Sequence, residues 1–371
     1  MTGTIHRAPT PIDRILRSAI RGAAFCLLLP LLIISCAKQS YYDIDTRTDV
    51  RSDGNTVIRW QVNPGMEGTV KIYASGDASS YPTEPVVVES IAKQYTTIPF
   101  AASHYEAQYF LMVFGGIETR VVSSRIIPTI SFTNLRDAGG YMTKEGEQVK
   151  WGGIYRSNIL SGLTRSDSLV VASLGLRYQV LLRDLKGGDG TALPEAGFRR
   201  IAIDPDIETA RGTLRDRVIE GRLDAPGVID ARQDLLSSYA FENPNQLSAA
   251  LHALLDESNY PVLLSDRLGN GRIALLMALV QSALGIPQRD IIDDYMLSNA
   301  LVPVAKLEPE GYKYPPLVQE ALVELYKNRP NDLQYVFYEI NKRYGSVERY
   351  LKEFLSFDKA DIERLRHILL Y

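Results

Sequence analysis

The sequence predicts two folded bodies in tandem, an all-β sandwich domain over residues 56–128 and an α/β domain over residues 129–371. Three observations carry this. Hydrophobic residues alternate with period two from Val57 onward, helix-type spacing mixed with short apolar runs takes over after Pro128, and Pro- and Gly-bearing turns punctuate both stretches. Alternation marks half-buried strands, whereas spacing near 3.6 marks helices packed on one face. A chain of 371 residues can bury two cores, and a net charge of −3 offers no general attraction to nucleic acid.

The N-terminus belongs to neither body. Residues 1–22 carry Arg7, Arg14, Arg17 and Arg21 against Asp13 alone, and residues 23–34 are apolar. That run is too short to cross a bilayer, which needs about 20 helical residues, and Pro30 would disturb a spanning helix. A basic stretch, a short apolar stretch and a small residue describe an export signal over residues 1–35. The sequence Ile33-Ile34-Ser35-Cys36 resembles the lipobox of bacterial lipoproteins. The resemblance implies a lipid on Cys36, a membrane partner through that lipid, and a place in the bacterial cell envelope, on a membrane face left open. An uncleaved signal anchor and a buried helix are the other readings. Removal of residues 1–35 leaves 37 basic against 43 acidic residues, a net charge of −6, and one thiol. The mature chain therefore cannot form an internal disulfide. Residues 36–55, with Asp43, Asp45, Asp49 and Asp53 among Arg and Ser, read as a polar tether.

In the β domain, Ile58, Trp60 and Val62 share one strand face, and Val70 and Ile72 repeat the scheme after the turn Asn63-Pro64-Gly65. Further β-type runs lie at 85–88, 95–98, 109–113 and 120–127, with Gly115-Gly116 as a hairpin signal between the last two. Seven or so short strands in about 85 residues indicate a sandwich. Trp60 on an early strand, with Tyr105 and Tyr109 on a late one, is similar to fibronectin type III or immunoglobulin-like modules. Such a module serves as a spacer, or as a protein- or glycan-binding partner surface.

In the α/β domain, Thr164-Arg165-Ser166-Asp167 predicts a capped helix start and Gly175 its C-terminal cap. A buried strand follows at 178–182. Residues 208–255 read as helical with a break at Asn243-Pro244-Asn245, and 261–264 as an apolar strand. The loop 265–271 leads into a helix over 272–284, stopped by Gly285-Ile286-Pro287. Residues 315–371 are helical, with Leu317, Ala321, Leu322 and Leu325 on one face. Strand, tight glycine loop and helix N-terminus together make a cradle for an anion.

Several ordered motifs resemble the bacterial tyrosine/serine protein phosphatases, a group of the cysteine-dependent, dual-specificity-like phosphatases. They are Asn134-Leu135-Arg136-Asp137-Ala138-Gly139-Gly140-Tyr141, Trp151-Gly152, Tyr155-Arg156-Ser157, Ser282-Ala283-Leu284-Gly285-Ile286-Pro287 and Asp294-Tyr295-Met296-Leu297-Ser298-Asn299. Tyr344-Gly345-Ser346, Tyr350-Leu351 and Ile362-Glu363-Arg364-Leu365-Arg366 match the family's C-terminal end. The resemblance covers about residues 130–371 and implies a protein-tyrosine-phosphatase-like α/β fold. The family's catalytic loop reads His-Cys-x-x-Gly-Lys-Asp-Arg, whereas this chain has Ser265-Asp266-Arg267-Leu268-Gly269-Asn270-Gly271-Arg272. Gly269 and Arg272 persist. Asp266 stands in the place of the nucleophilic cysteine, Asn270 in that of the lysine and Gly271 in that of the loop acid. The family's Asp-Leu-Arg strand end is Leu181-Leu182-Arg183 here, so a further acid is lost.

The chemistry then runs short. The family's route needs a thiolate to attack phosphorus and a proton for the departing oxygen. A carboxylate is a weak nucleophile toward a phosphate dianion unless a metal neutralises the charge. His104, His252 and His367 lack ligand spacing, so no metal and no cofactor is expected. The leading expectation is a catalytically degenerate, lipid-anchored phosphatase-like protein acting in binding or scaffolding. Its Asp266 would face the helix amides and Arg272 in place of phosphate. The alternatives are a working phosphomonoesterase using Asp266 or an unidentified group, and a glycan- or protein-binding envelope lipoprotein. Arg267 is a candidate for holding another anion or simply a solvated loop side chain. His252 is expected to pack on an apolar helix face. Asp204 and Asp206 sit in a turn that caps a helix or presents an acid to the loop. Asp293 and Asp294 either bind a cation or form part of the packing, and the family's structural pattern at Asp294-Tyr295 favours packing. Asn134, Arg136 and Asp137 are expected to fix backbone turns.

Overall fold

The computed structural model of the protein describes residues 42–99, 108–158, 160, 162–182, 199–201, 214–242 and 244–371. The signal, Cys36, Tyr105, His104, Arg183 and the turn at 203–207 lie outside these residues.

The first strand corrects the tether. Residues Asp43–Val50 form β1, paired antiparallel with β2 (Thr56–Asn63) from Asp43↔Asn63 to Val50↔Thr56. Ile44 is buried while Asp43, Asp45, Arg47 and Asp49 occupy the alternate positions. This is an edge strand, where charge on the outward side discourages pairing with another chain. The period-two pattern was therefore present, hidden by its polar content. The remaining strands are β3 (Thr69–Ser75), β4 (Val87–Ser90), β5 (Tyr95–Ile98), β6 (Tyr109–Phe114) and β7 (Glu118–Ser123). One sheet runs β1-β2-β5 and a second β4-β3-β6-β7, with every pairing antiparallel. Ile58, Trp60, Val70, Ile72, Phe110, Met112 and Phe114, drawn from both sheets, form one hydrophobic cluster. The Trp60 indole also donates to Ile91 O at 2.8 Å, which answers its only polar atom. Gly115 and Gly116, at φ 57° and 74°, make the tight β6–β7 turn as predicted. Strand β7 ends earlier than expected, because Arg125 turns to donate to Asp137 O and Ser124 bonds Ile126 O.

The second sheet system is mixed, in the order β11-β10-β12-β9-β8. Strands β9 (Ile154–Asn158), β10 (Tyr178–Leu181), β11 (Arg199–Ile201) and β12 (Val262–Asp266) are parallel, and β8 (Arg136–Asp137) runs antiparallel at the edge. Helix α1 (Arg165–Ser173) starts with the predicted capping box between Thr164 and Asp167. Helices α2 (Ala225–Phe241) and α3 (Pro244–Ala253) follow, and α4 (Arg272–Leu284) leaves β12 directly after the loop. All but one residue of α4 are buried, as its apolar sequence requires of a central helix. Around it lie α5 (Gln288–Leu301), the short α6 (Val304–Leu307), α7 (Pro316–Tyr326), α8 (Pro330–Tyr344), α9 (Val347–Leu355) and α10 (Lys359–Leu369). One expected core position was wrong: Leu317 is 74% exposed, and Val318 turns inward instead to join Ala321, Leu322 and Leu325. Among the described residues no helix is long and apolar enough to cross a membrane.

Residues Tyr42–Tyr371 form one compact unit, and a side-chain junction ties its two sheet systems together. The Gln148 amide both accepts from Val121 N and donates to Val121 O, at 2.9 and 2.8 Å, so it copies a strand against the β7 edge. Trp151 donates to the same carbonyl at 2.7 Å. Its ring lies so close to Gly140 that a Cβ there would sit 2.0 Å from Trp151 Cζ2, and Gly140 has φ +81°. Gly146 has φ +88° with open space around it. Gly146→Ala should therefore cost only the left-handed backbone term of about 1–2 kcal/mol. Gly140→Ala should cost about 1–3 kcal/mol more, by overpacking against Trp151. Urea denaturation of the two variants measures the difference, and equal losses would remove Trp151 from the account of the junction.

Candidate functional site

Strand β12 is buried throughout, and the chain turns sharply after it before α4 begins. The turn depends on Gly269, whose φ is +71° and whose Cβ would fall 2.8 Å from both Asn134 Nδ2 and Ser157 C. Two side chains pull the loop carbonyls backward. Asn134 donates to Leu268 O and Gly269 O at 3.2 and 2.9 Å, and Arg156 donates to Gly269 O at 2.8 Å. With the carbonyls held outside, the amides point inward, which is the shape of an anion nest.

That nest is occupied by the chain itself. Asp266 Oδ1 accepts from Leu268 N at 3.1 Å and Gly269 N at 2.5 Å, while Oδ2 accepts from Gly271 N at 3.3 Å and Ile273 N at 3.0 Å. The carboxylate is only 5% exposed. It answers backbone donors that a helix start leaves open, and its charge suits the positive end of α4.

Arg272 corrects the expectation that it would face Asp266. Its Nη1 reaches Leu182 O at 3.4 Å, its guanidinium lies 5.1 Å from the Tyr239 ring centroid, and its buried Nη2 has no partner among the described residues. Among the described residues it makes no ion pair. Arg267 is exposed, whereas Leu268, Asn270 and Gly271 are buried, and Asn270 donates to Tyr326 O at 3.4 Å. Ser265 Oγ, fully buried, accepts from Gln179 Nε2 at 2.9 Å and does not face the nest as a nucleophile.

Behind the loop lies a buried charge cluster built from the motifs quoted above. Asp294 takes Arg156 Nη1 at 2.8 Å, Arg136 Nε at 3.3 Å and the Tyr141 hydroxyl at 3.0 Å. Arg136 also bonds Asp294 O, Ser298 Oγ and the Asn134 side chain. Burial alone would raise the Asp294 pKa, but the charges of Arg136 and Arg156 overcome it and hold the group at about 2. Burial, and then the neighbouring Arg156, push Arg136 down to about 10. Both shifts are downward, which favours the charged carboxylate and disfavours the charged guanidinium, as fits a single carboxylate serving two buried guanidinium groups. Asp294 is rich in positive neighbours while each arginine holds half a counter-ion. Asp137 fixes turns as expected, accepting from Gly139 N at 2.8 Å and Gly152 N at 2.7 Å, and burial raises its pKa to about 6.

Asp294 is thus no cation ligand, and Asp293 sits apart from it on the surface. His252 is not a core histidine: it is exposed on α3, bonded to Ser248 O at 2.8 Å and edge-on to Phe357. Among the described residues no three His, Cys, Asp or Glu side chains converge as metal ligands. Sequence reasoning missed Arg232, which joins Leu325 O, Tyr295 OH and Asp332 behind the loop. An arginine within the apolar spacing of Val228, Leu236 and Tyr239 was the available signal.

A model of the tyrosine phosphatase family matches residues 127–371. The chain belongs to that family. A Cupriavidus necator protein that carries the provisional name tyrosine-protein phosphatase is 26% identical over 240 residues, covering 62% of this chain and 85% of its own. Among solved structures, the core catalytic domain of the PP-IP phosphatase SIW14 from S. cerevisiae, in complex with citrate, is similar at 14% identity and a TM-score of 0.24, covering 58% of this chain and 96% of that one. A second structure of the Siw14 catalytic core gives the same identity and score over 60% and 96%. The tyrosine phosphatase assignment rests on the family model.

The shared carboxylate gives this phosphatase-family domain a pH signature. Because the folded Asp294 pKa, about 2, lies below its ordinary 3.8, its contribution is present above about pH 4 and lost as pH falls toward 2. Asp294→Asn strands two buried guanidinium groups and should destabilise by about 3–5 kcal/mol at neutral pH. The gap to the unmodified protein should narrow between about pH 4 and 2. Denaturation curves across that range read it directly, and a gap independent of pH would contradict the assignment.

Proposed function

We propose that this member of the tyrosine phosphatase family has lost the family's hydrolytic chemistry. It acts instead as a binding or scaffolding element, held at the membrane of the cell envelope by lipid on Cys36. The observation that carries the reading is the Asp266 carboxylate, which takes four backbone amides of the loop at 2.5–3.3 Å. A phosphate monoester would need those same donors, and it would meet a like charge already seated among them. The attacking sulfur and both family acids are absent from the sequence around that seat. In this reading the two antiparallel sheets ahead of the domain are a fibronectin type III or immunoglobulin-like β-sandwich that spaces it from the membrane. Their shared hydrophobic cluster and the buried Trp60 support that reading.

Two measurements test it. The protein from residue 37 onward should not turn over p-nitrophenyl phosphate, with or without divalent metals. Turnover that Asp266→Ala abolishes would establish the rival reading, a phosphomonoesterase with a carboxylate nucleophile. In calorimetry the unmodified protein should show no micromolar binding of phosphate or vanadate. Asp266→Ala or Asp266→Ser should bind at least tenfold tighter, a gain of about 1.4 kcal/mol or more, because the nest is then empty.

A further inference from the structure

We propose that a second site, unrelated to the phosphatase loop, lies where the two sheet systems meet and takes a neutral saccharide of one or two rings. A cleft of about 450 Å³ opens there, within the range of small-molecule sites, which is about 300–1,000 Å³. Gly153 and Tyr260 line it, and they precede β9 and β12, so the cleft sits at the N-terminal ends of the parallel strands. The Asp266 nest is at the other end of β12. One wall, residues 77–79, comes from the β3–β4 connection, outside the stretch that matches the phosphatase family. Neither part makes the cleft alone.

Its walls are fixed before any ligand arrives. Asp77 Oδ1 accepts from Ser79 N at 2.9 Å and from Ser79 Oγ at 2.7 Å. These bonds keep the Asp77 pKa below its ordinary value, and Oδ2 accepts no hydrogen bond among the described residues. The Tyr371 hydroxyl reaches Ala78 O at 3.3 Å across the cleft, and the Tyr260 hydroxyl is tied to Leu254 O at 2.6 Å. Lys150 Nζ spends bonds on Ile368 O and His367 O, at 2.8 and 3.4 Å, which leaves one of its three donors. In the adjoining hydrophobic cluster with Trp151, the buried Tyr81 hydroxyl has no partner among the described residues.

The chemistry selects the ligand class. Asp77 and Glu257 are acceptors, Lys150 is a donor, and the tyrosine rings stand beside a floor at Gly152 and Gly153 that carries no side chain. Hydroxyl groups donate and accept, so a polyol satisfies both kinds of wall, while its C–H faces lie on the rings. A dianion would be repelled by the two carboxylates, and a hydrocarbon would leave them unanswered.

The test is a panel of immobilised neutral hexose and N-acetylhexosamine oligomers, probed with the protein from residue 37 onward, followed by calorimetry on the best binder. Asp77→Ala and Tyr371→Ala should each weaken binding at least tenfold, with unchanged melting temperatures because both residues are exposed. Asp266→Ala should leave it unchanged, which separates this site from the phosphatase loop. No binder in the panel, or binding undiminished by both cleft substitutions, would overturn the proposal.

Discussion

The loop geometry depends on Arg156. One of its nitrogens holds Asp294 at 2.8 Å and another holds Gly269 O at the same distance. The side chain thereby couples helix α5 to the turn that precedes α4. Without that pull, the Gly269 carbonyl would be held away from the pocket by Asn134 alone. The convergence of the amides would then rest on one side chain in place of two. Arg136 and Asn134 repeat the device from the edge strand, so the loop is gripped at two adjacent carbonyls. Burying two guanidinium groups for one carboxylate is costly in isolation. The hydrogen bonds to Asp294 O, Ser298 Oγ and the Gly269 carbonyl offset part of that cost, while Arg156 Nε stays without a partner among the described residues.

The motifs that link this chain to tyrosine phosphatases are mostly devices for shaping the loop. Asn134, Arg136, Asp137, Arg156, Asp294 and Ser298 all act on backbone or on one another. None touches the interior of the nest. This explains how the family pattern can persist while the residues lining the nest have changed. A scaffold that forces amides inward keeps its own demand for an anion, whether or not chemistry follows.

Much of this was legible in the sequence, because each legible feature had a local cause. The capping box at Thr164, the glycine turn at 115–116 and the limits of α4 follow from short-range rules, and the structure reproduces them. The strand, glycine and helix start in fixed order marked the cradle, and the resemblance to the family's catalytic loop singled out Asp266 within it. The misses have tertiary causes. β1 looked like a tether because only Ile44 of its residues is buried, the condition of a polar edge strand. Leu317 and His252 were placed by periodicity, which gives a helix face but not which neighbours cover it. Arg272 was placed by analogy with a loop that receives phosphate. Periodicity could not foresee that four backbone amides would satisfy Asp266 without the arginine.

Arg272 also decides between two accounts of the nest. If Asp266 replaced phosphate in full, it would recruit the arginine as well as the amides. Instead the carboxylate is satisfied by four amides, and the guanidinium lies against Tyr239 and Leu182 O. A carboxylate has two oxygens on a short stem anchored to β12, so it reaches the near side of the nest and no farther. The backbone donors are therefore the part of the old site whose demand could not be left open. An N–H buried without an acceptor costs about 1–3 kcal/mol, and here several converge. A guanidinium beside an aromatic face retains a favourable contact when its anion is gone. A small apolar residue at position 266 would leave the amides stranded, whereas aspartate answers them. The residue on which the proposed loss of chemistry turns is the one that lets the loop keep its shape.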